Sequence, residues 1–314
     1  MIEVANLTKR YGTVTAVDDV SFTVKTGEIL GFLGPNGAGK TTTMKILTCF
    51  MPATDGRVTV DSLDVFDDSL EVRRKIGYLP ESAPLYTDMN VTEYLSFVAG
   101  IRGISKAQLP SRLDAIVNVC GLTEVRRREI SELSKGFKQR VGLAQAMIHD
   151  PDILILDEPT SGLDPNQIVE IRNLIKKIGE EKTVILSTHI LPEVQATCDR
   201  VLIISRGKLV ADGSPDELTS QFHGDEQIQV TVTGTTPDVL RSALGGLSGV
   251  AWLDVSGGRE VTARLTSERG TDLRERIFRV VVDKGWTLLE LHRERTSLEQ
   301  VFRQLTGADG RRDA

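Results

Sequence analysis

At 314 residues the chain has room for one large α/β domain and a smaller second one, because single hydrophobic cores stop growing at roughly 250 to 300 residues. Its 38 basic and 44 acidic side chains leave a net charge of −6, so the field of the whole chain gives no reason to expect nucleic acid as a partner. Cys49, Cys120 and Cys198 lie far apart without metal-ligand spacing, which argues for reduced thiols, and no window approaches the roughly 18 apolar residues of a membrane span.

Short alternating segments at residues 2–4, 20–24 and 57–60, punctuated by Gly12, Gly27 and Gly56, predict antiparallel strands. Residues 29–33 form a continuous apolar run that enters a glycine loop and then a helix from about Lys40. The runs at 153–156 and 184–187 are of the same kind, and such runs predict a parallel sheet that binds phosphate at its carboxyl edge.

Between these runs, residues 91–121 and 124–150 carry helical periodicity, so a helical insertion over about 85–150 is expected, with Arg126, Arg127 and Arg128 on a solvated helix face. A strand pair at 201–205 and 208–211 turns at Arg206 and Gly207. Pro215 and the polar stretch 220–225 read as a linker, which ends the first domain near residue 220. From Glu226 the pattern becomes strand 227–233, helix 237–247, strands 251–255 and 261–266, helix 272–284 and strand 287–292. This βαββαβ order defines an accessory domain over 226–306 without a visible catalytic constellation. A last helix at 297–305 precedes a charged tail, 307–314, that offers no apolar anchor and is expected to be loose.

The segment Gly34-Pro35-Asn36-Gly37-Ala38-Gly39-Lys40-Thr41 fits G-x-x-x-x-G-K-[ST] between a predicted strand and a predicted helix, and Thr42 continues it. In such a P-loop the glycines let backbone N–H groups face phosphate oxygens, the helix N-terminus adds its dipole, Lys40 supplies a charge and the Thr41 hydroxyl can hold Mg²⁺. Downstream, the apolar run ends in Asp157-Glu158. That order sets Asp157 to bind magnesium through water and Glu158 to polarise an attacking water. An acidic pair after a strand is more often a helix cap, and the P-loop upstream decides for function. His189 follows its own apolar run and Thr188, which repeats the placement at the sheet edge. ATP and Mg²⁺ are the expected ligands, with Glu158 and His189 catalytic.

Over about residues 1–220 the chain resembles an ABC transporter nucleotide-binding subunit. Leu133-Ser134-Lys135-Gly136-Phe137-Lys138-Gln139-Arg140 resembles the family's signature segment, and Ser161-Gly162-Leu163-Asp164 its D-loop. His189 matches its switch histidine and Tyr11 the aromatic residue that stacks on adenine. The resemblance implies an α/β P-loop ATPase core of the ABC type, with an N-terminal antiparallel β subdomain and a helical insertion, followed here by the small α+β domain. It also implies a head-to-tail dimer, homomeric or heteromeric, in which Ser134, Lys135, Gly136 and Asp164 of one chain close over ATP on the P-loop of the other. Ser134 and the Gly136 amide precede a helix N-terminus, which is a suitable anion site.

Two positions depart from the family pattern. Glu81 stands where a glutamine is usual, and a carboxylate can still ligate Mg²⁺. Lys135 and Phe137 stand where glycine and glutamine are commoner. Segments 77–86 and 297–302 resemble a bacterial export subgroup that includes gliding-motility-associated and drug or sodium exporters. The resemblance therefore implies an integral-membrane permease on a separate chain, docked near residues 81–89, and a cytoplasmic location on the inner face of the membrane. A non-transport ABC ATPase acting on ribosomes or DNA would normally show two cassettes or a long coiled coil, and this chain has one P-loop and no heptad run. A simple P-loop kinase would leave 133–140 and 161–164 unexplained.

Overall fold

The computed structural model describes residues 1–221, 226–267, 272–294 and 298–307. In chain order it opens with β1 (Ile2–Tyr11), β2 (Val14–Val24), β3 (Ile29–Leu33), α1 (Lys40–Leu47), β4 (Asp55–Val60), β5 (Leu63–Asp64), α2 (Ser69–Lys75) and β6 (Ile76–Leu79). An antiparallel sheet runs β2-β1-β4-β5, with Val4 opposite Phe22 and Val58. Alternation puts Ile2, Val4, Val20, Phe22 and Val24 into the core. The first two strands are longer than their alternation predicts, because bulges interrupt the register beyond Val4. Asn6 and Asp19 take left-handed backbone there, at φ 51° and 54°, and the Asn6 amide donates to Asp19 at 2.8 Å.

The insertion holds α3 (Val91–Ile101), α4 (Leu109–Val119) and α5 (Lys135–Met147). Residues between α4 and α5 are not the helix expected from 124 onward. They run through two short 3₁₀ turns, Thr123–Val125 and Ile130–Glu132, so Arg126, Arg127 and Arg128 lie on a loop. The loop is recruited to the start of α3: the carbonyls of Arg128 and Arg126 accept from the N–H groups of Val91 and Thr92 at 3.2 and 3.0 Å. Those donors have no partner inside the helix, and satisfying them outweighs local helical propensity.

The chain then adds β7 (Ile153–Asp157), α6 (Pro165–Gly179), β8 (Thr183–Thr188), α7 (Leu191–Thr197), β9 (Arg200–Ser205) and β10 (Lys208–Gly213). The second sheet runs β10-β9-β3-β8-β7-β6. It is parallel except for the edge strand β10. Every residue of β3, β7 and β8 is buried, as continuous apolar runs require. Register sets Leu33 beside Thr188 and Asp157 beside Ser187, so three strands end together on one edge.

The described chain divides into two compact units, Met1–Pro215 with residues Phe302–Gly307, and Asp216–Val301. Pro215 opens α8 (Pro215–Gln221) where a linker was expected, and the Ser220 hydroxyl closes on Asp216 O at 2.8 Å. Residues 222–225 of that linker lie outside the described residues. The second unit carries β11 (Glu226–Thr233), α9 (Pro237–Gly245), β12 (Val250–Gly257), β13 (Glu260–Ser267), α10 (Arg274–Asp283) and β14 (Thr287–Glu294). Its antiparallel sheet runs β12-β13-β11-β14, which is the split βαβ arrangement of a βαββαβ order. Ile228, Val230 and Val232 pack against Leu240, Leu244, Ile277 and Val281. The last helix is α11 (Leu298–Thr306), and the tail expected to be loose falls, beyond Gly307, outside the described residues.

Candidate active site

The P-loop leaves β3 at Leu33 and enters α1 at Lys40. Two of its glycines are fixed by space: a Cβ on Gly34 would sit 2.5 Å from Ile204 O, and one on Gly39 2.5 Å from Ala16 O. Gly39 also takes φ 109°, a conformation that L side chains rarely adopt. Lys40 is buried, and its Nζ donates to Gly34 O at 2.8 Å and Pro35 O at 3.3 Å while pairing with Glu158 Oε1 at 3.2 Å.

At the end of β7, Asp157 is wholly buried. Its Oδ1 accepts from the Thr41 hydroxyl at 3.3 Å and from the Ser187 hydroxyl, whereas Oδ2 is buried without a protein partner. Burial raises the Asp157 pKa above the usual carboxylate value, and the hydrogen bonds from Ser187 and Thr41 work against that rise.

Glu158 follows at φ 50°, a strained conformation for a residue with a side chain. Its N–H is held by Ser187 O at 3.1 Å, and the turn swings the carboxylate between two cationic or donor groups. Oε1 meets Lys40, and Oε2 accepts from His189 Nδ1 at 2.8 Å. A carboxylate in that pair can only accept, so the imidazole proton sits on Nδ1.

These groups surround a cleft of about 520 Å³ whose walls include Lys40, Thr41, Glu81, Glu158, Ser161 and His189. Asn36, Gly37, Gly39 and Thr42 line it as well. Thus Glu81 shares one cleft with the P-loop and with His189, although about a third of the chain separates it from the histidine. The sequence marks Ser161 only as the first residue of the D-loop segment and does not single out Ser187 as a site residue. The only local signal for Ser187 is a pair of hydroxyl residues ahead of His189, and its partner Asp157 is revealed by strand pairing alone.

Other expected residues stand elsewhere. Tyr11 does not line the cleft. It closes β1 with its hydroxyl 3.0 Å from Met51 Sδ, beside a larger cavity of about 770 Å³ that contains no P-loop residue. Ser134 and Asp164 each cap a helix, accepting from Phe137 N at 3.4 Å and Gln167 N at 2.9 Å. A Cβ on Gly136 would meet the Gln167 side chain at 2.8 Å, and one on Gly162 would overlap Lys135 Nζ. Ser134, Lys135, Gly136 and Asp164 therefore form a second cluster that does not line the cleft of their own chain.

Comparison with known proteins places this geometry. The family model described as ABC transporter matches residues 17–161. The linearmycin resistance ATP-binding protein LnrL of Bacillus subtilis (strain 168) is 32% identical over 308 residues, 98% of each chain. The bacitracin transport ATP-binding protein BcrA of Bacillus licheniformis is 39% identical over 220 residues, 69% of this chain and 71% of that protein. Among solved structures, the dimeric post-hydrolysis state of the ATP-binding cassette MJ0796 bound to ADP and Pi has a TM-score of 0.62 at 27% identity. It covers 68% of this chain and 98% of its own. Among the described residues no helix is long and apolar enough to cross a membrane. With a P-loop and an acidic strand end on one sheet edge, and a relative aligned along nearly its whole length, the chain belongs to the ABC transporter ATP-binding subunits and is an ATPase.

Proposed function

We propose that the chain drives export by closing with a second ATPase subunit, of the same or another kind, over two ATP molecules, and that this closure moves a permease carried on a separate chain. The observation that supports it is the separation of the two clusters. Ser134, Lys135, Gly136 and Asp164 do not line the Lys40 cleft of their own chain, and a head-to-tail partner would present the same four residues there. The dimeric cassette MJ0796 and the resistance and transport relatives favour this reading.

Within each cleft Lys40 and the P-loop amides would hold the phosphates, and the adenine would extend beyond the cleft to Tyr11. The donor set fits magnesium: the orphaned Asp157 Oδ2 and the neighbouring Thr41 hydroxyl are hard oxygen donors. Among the described residues no group of three or more His, Cys, Asp or Glu could hold a metal by itself, so phosphate and water would complete the shell, with Glu81 as a further carboxylate. When bound, Mg²⁺ neutralises charge on the phosphate oxygens. Glu158 is the general base that polarises the attacking water, and His189 orients its carboxylate through Nδ1.

Docking of the permease is assigned to residues 81–89 and the groove beside them, about 690 Å³, walled by Tyr86, Tyr94 and Phe97 and rimmed by Arg73 and Arg102. Tyr86 is 53% exposed and stacks near Tyr94 and Phe97, at centroid distances of 5.9 and 5.4 Å, which suits an apolar helix laid in a groove. The chain then works in the cytoplasm, against the membrane. Size-exclusion chromatography of Glu158→Gln with and without ATP, alone and with a coexpressed permease, tests the proposal. An ATP-dependent dimer is expected, and a protein that binds ATP yet stays monomeric in both settings refutes it.

A further inference from the structure

The loop that carries His189 is held by a buried carboxyl. Glu193, on α7, is 4% exposed, and its Oε2 accepts a hydrogen bond of 2.8 Å from the Thr188 hydroxyl. The same hydroxyl oxygen accepts from the N–H of Ile190 at 3.0 Å. The Thr188 carbonyl accepts from the N–H of Gly34, the first P-loop residue, at 3.4 Å. Residues on both sides of His189 are thus tied to one hydroxyl, whose rotation is set by Glu193.

Packing does not account for this carboxyl. Its Oε1 is buried without a partner, and among the described residues no cation pairs with it. Burying such a group is costly, and an apolar side chain would fill the space at less expense. What the carboxyl uniquely supplies is the acceptor for Thr188. With that proton directed at Glu193, the hydroxyl lone pairs turn to Ile190 N–H and close the bend that projects His189 toward Glu158.

We propose that Glu193 is a positioning residue, which aims His189 at Glu158 through the Thr188 hydroxyl; this rests on the reading of Glu158 and His189 as the hydrolytic pair. In the full chain, Glu193→Ala and the near-isosteric Thr188→Val should each lower kcat roughly 10- to 100-fold, the size of effect expected when a group is misplaced by about 1 Å. KM for ATP should stay within about twofold, as for an interaction lost in the transition state only. The double variant should fall no further than either single one, since both break one bond. Glu193→Gln keeps an acceptor oxygen and should restore most of the turnover.

An independent readout is the ¹⁵N imidazole spectrum. Of the four histidines, the one lost in His189→Ala should shift in Glu193→Ala, and the others should hold their places. Wild-type kcat with an unmoved His189 resonance overturns the proposal. So does a loss of turnover that Glu193→Gln fails to restore, which would mark a merely structural role. If Glu193→Ala does not fold, Thr188→Val carries the same test. A His189→Ala protein that turns over at the wild-type rate refutes the hydrolytic pair itself, whereas a slow His189→Ala beside a fast Glu193→Ala refutes the positioning alone.

Discussion

Lys40 Nζ and Glu158 Oε1 stand 3.2 Å apart with both side chains more than nine-tenths buried. The residue that should grip phosphate and the residue that should activate water are therefore partners, and a phosphate entering the P-loop competes with Glu158 for the same ammonium. Lys40→Ala removes the cation and leaves a buried carboxylate supported by His189 alone. Nucleotide binding should fall below detection by calorimetry, and urea unfolding should show a loss of about 3 kcal/mol, the lower end for breaking a buried pair.

Glu158→Gln separates binding from chemistry. Hydrolysis should fall roughly 10²- to 10⁴-fold when the general base is lost. Affinity for ADP should rise, because a neutral amide no longer competes for Lys40. A gain of roughly tenfold, about 1.4 kcal/mol, is expected by fluorescent-nucleotide displacement. Equal affinities in the two proteins would show that the ion pair does not compete with nucleotide.

The raised pKa of Asp157 has a defined sign. The native state holds this proton more tightly than the unfolded chain does, so as pH rises above the ordinary value of 3.8 and through the native one, Asp157 subtracts stability. Asp157→Asn should therefore unfold at a higher temperature than wild type at neutral pH, and the difference should shrink as the solution is acidified. The same variant should lose the Mg²⁺ dependence of nucleotide binding, a trade of stability against function.

Tyr86→Ala tests the docking groove away from the cleft. ATPase activity of the chain alone should stay within about twofold, as for a surface site remote from the chemistry. Copurification with the coexpressed permease should be lost, since exposed aromatic anchors carry much of the energy of such contacts. Retention of the complex would move the docking surface elsewhere.

Where chemistry is written in consecutive residues it was legible before any fold was known. Gly34 to Thr41 and the pair Asp157-Glu158 are local patterns, fixed by the backbone path out of one strand. Ser187 was hidden because its partnership with Asp157 exists only once β7 and β8 pair. The loop around Arg126 was misread for a similar reason. Val125, Ile130 and Leu133 are buried at intervals of five and three residues, which a strand's alternation would not give. Their backbone is set instead by distant acceptors, with Ile130 N on Met89 O and Ser131 N on Thr87 O, both at 3.0 Å. Tyr11 was placed by resemblance, and in this chain its hydroxyl turns to Met51.

The βαββαβ unit is strung between two attachments, because the described residues Phe302–Gly307 return to the unit that begins at Met1. It is an inserted module rather than a terminal appendage. A single proteolytic cut at 222–225 would leave a C-terminal fragment that still contributes to the fold of its neighbour, so the two pieces should co-elute under native conditions. Releasing the module takes two cuts, and exchanging it between relatives requires two crossover points in the gene.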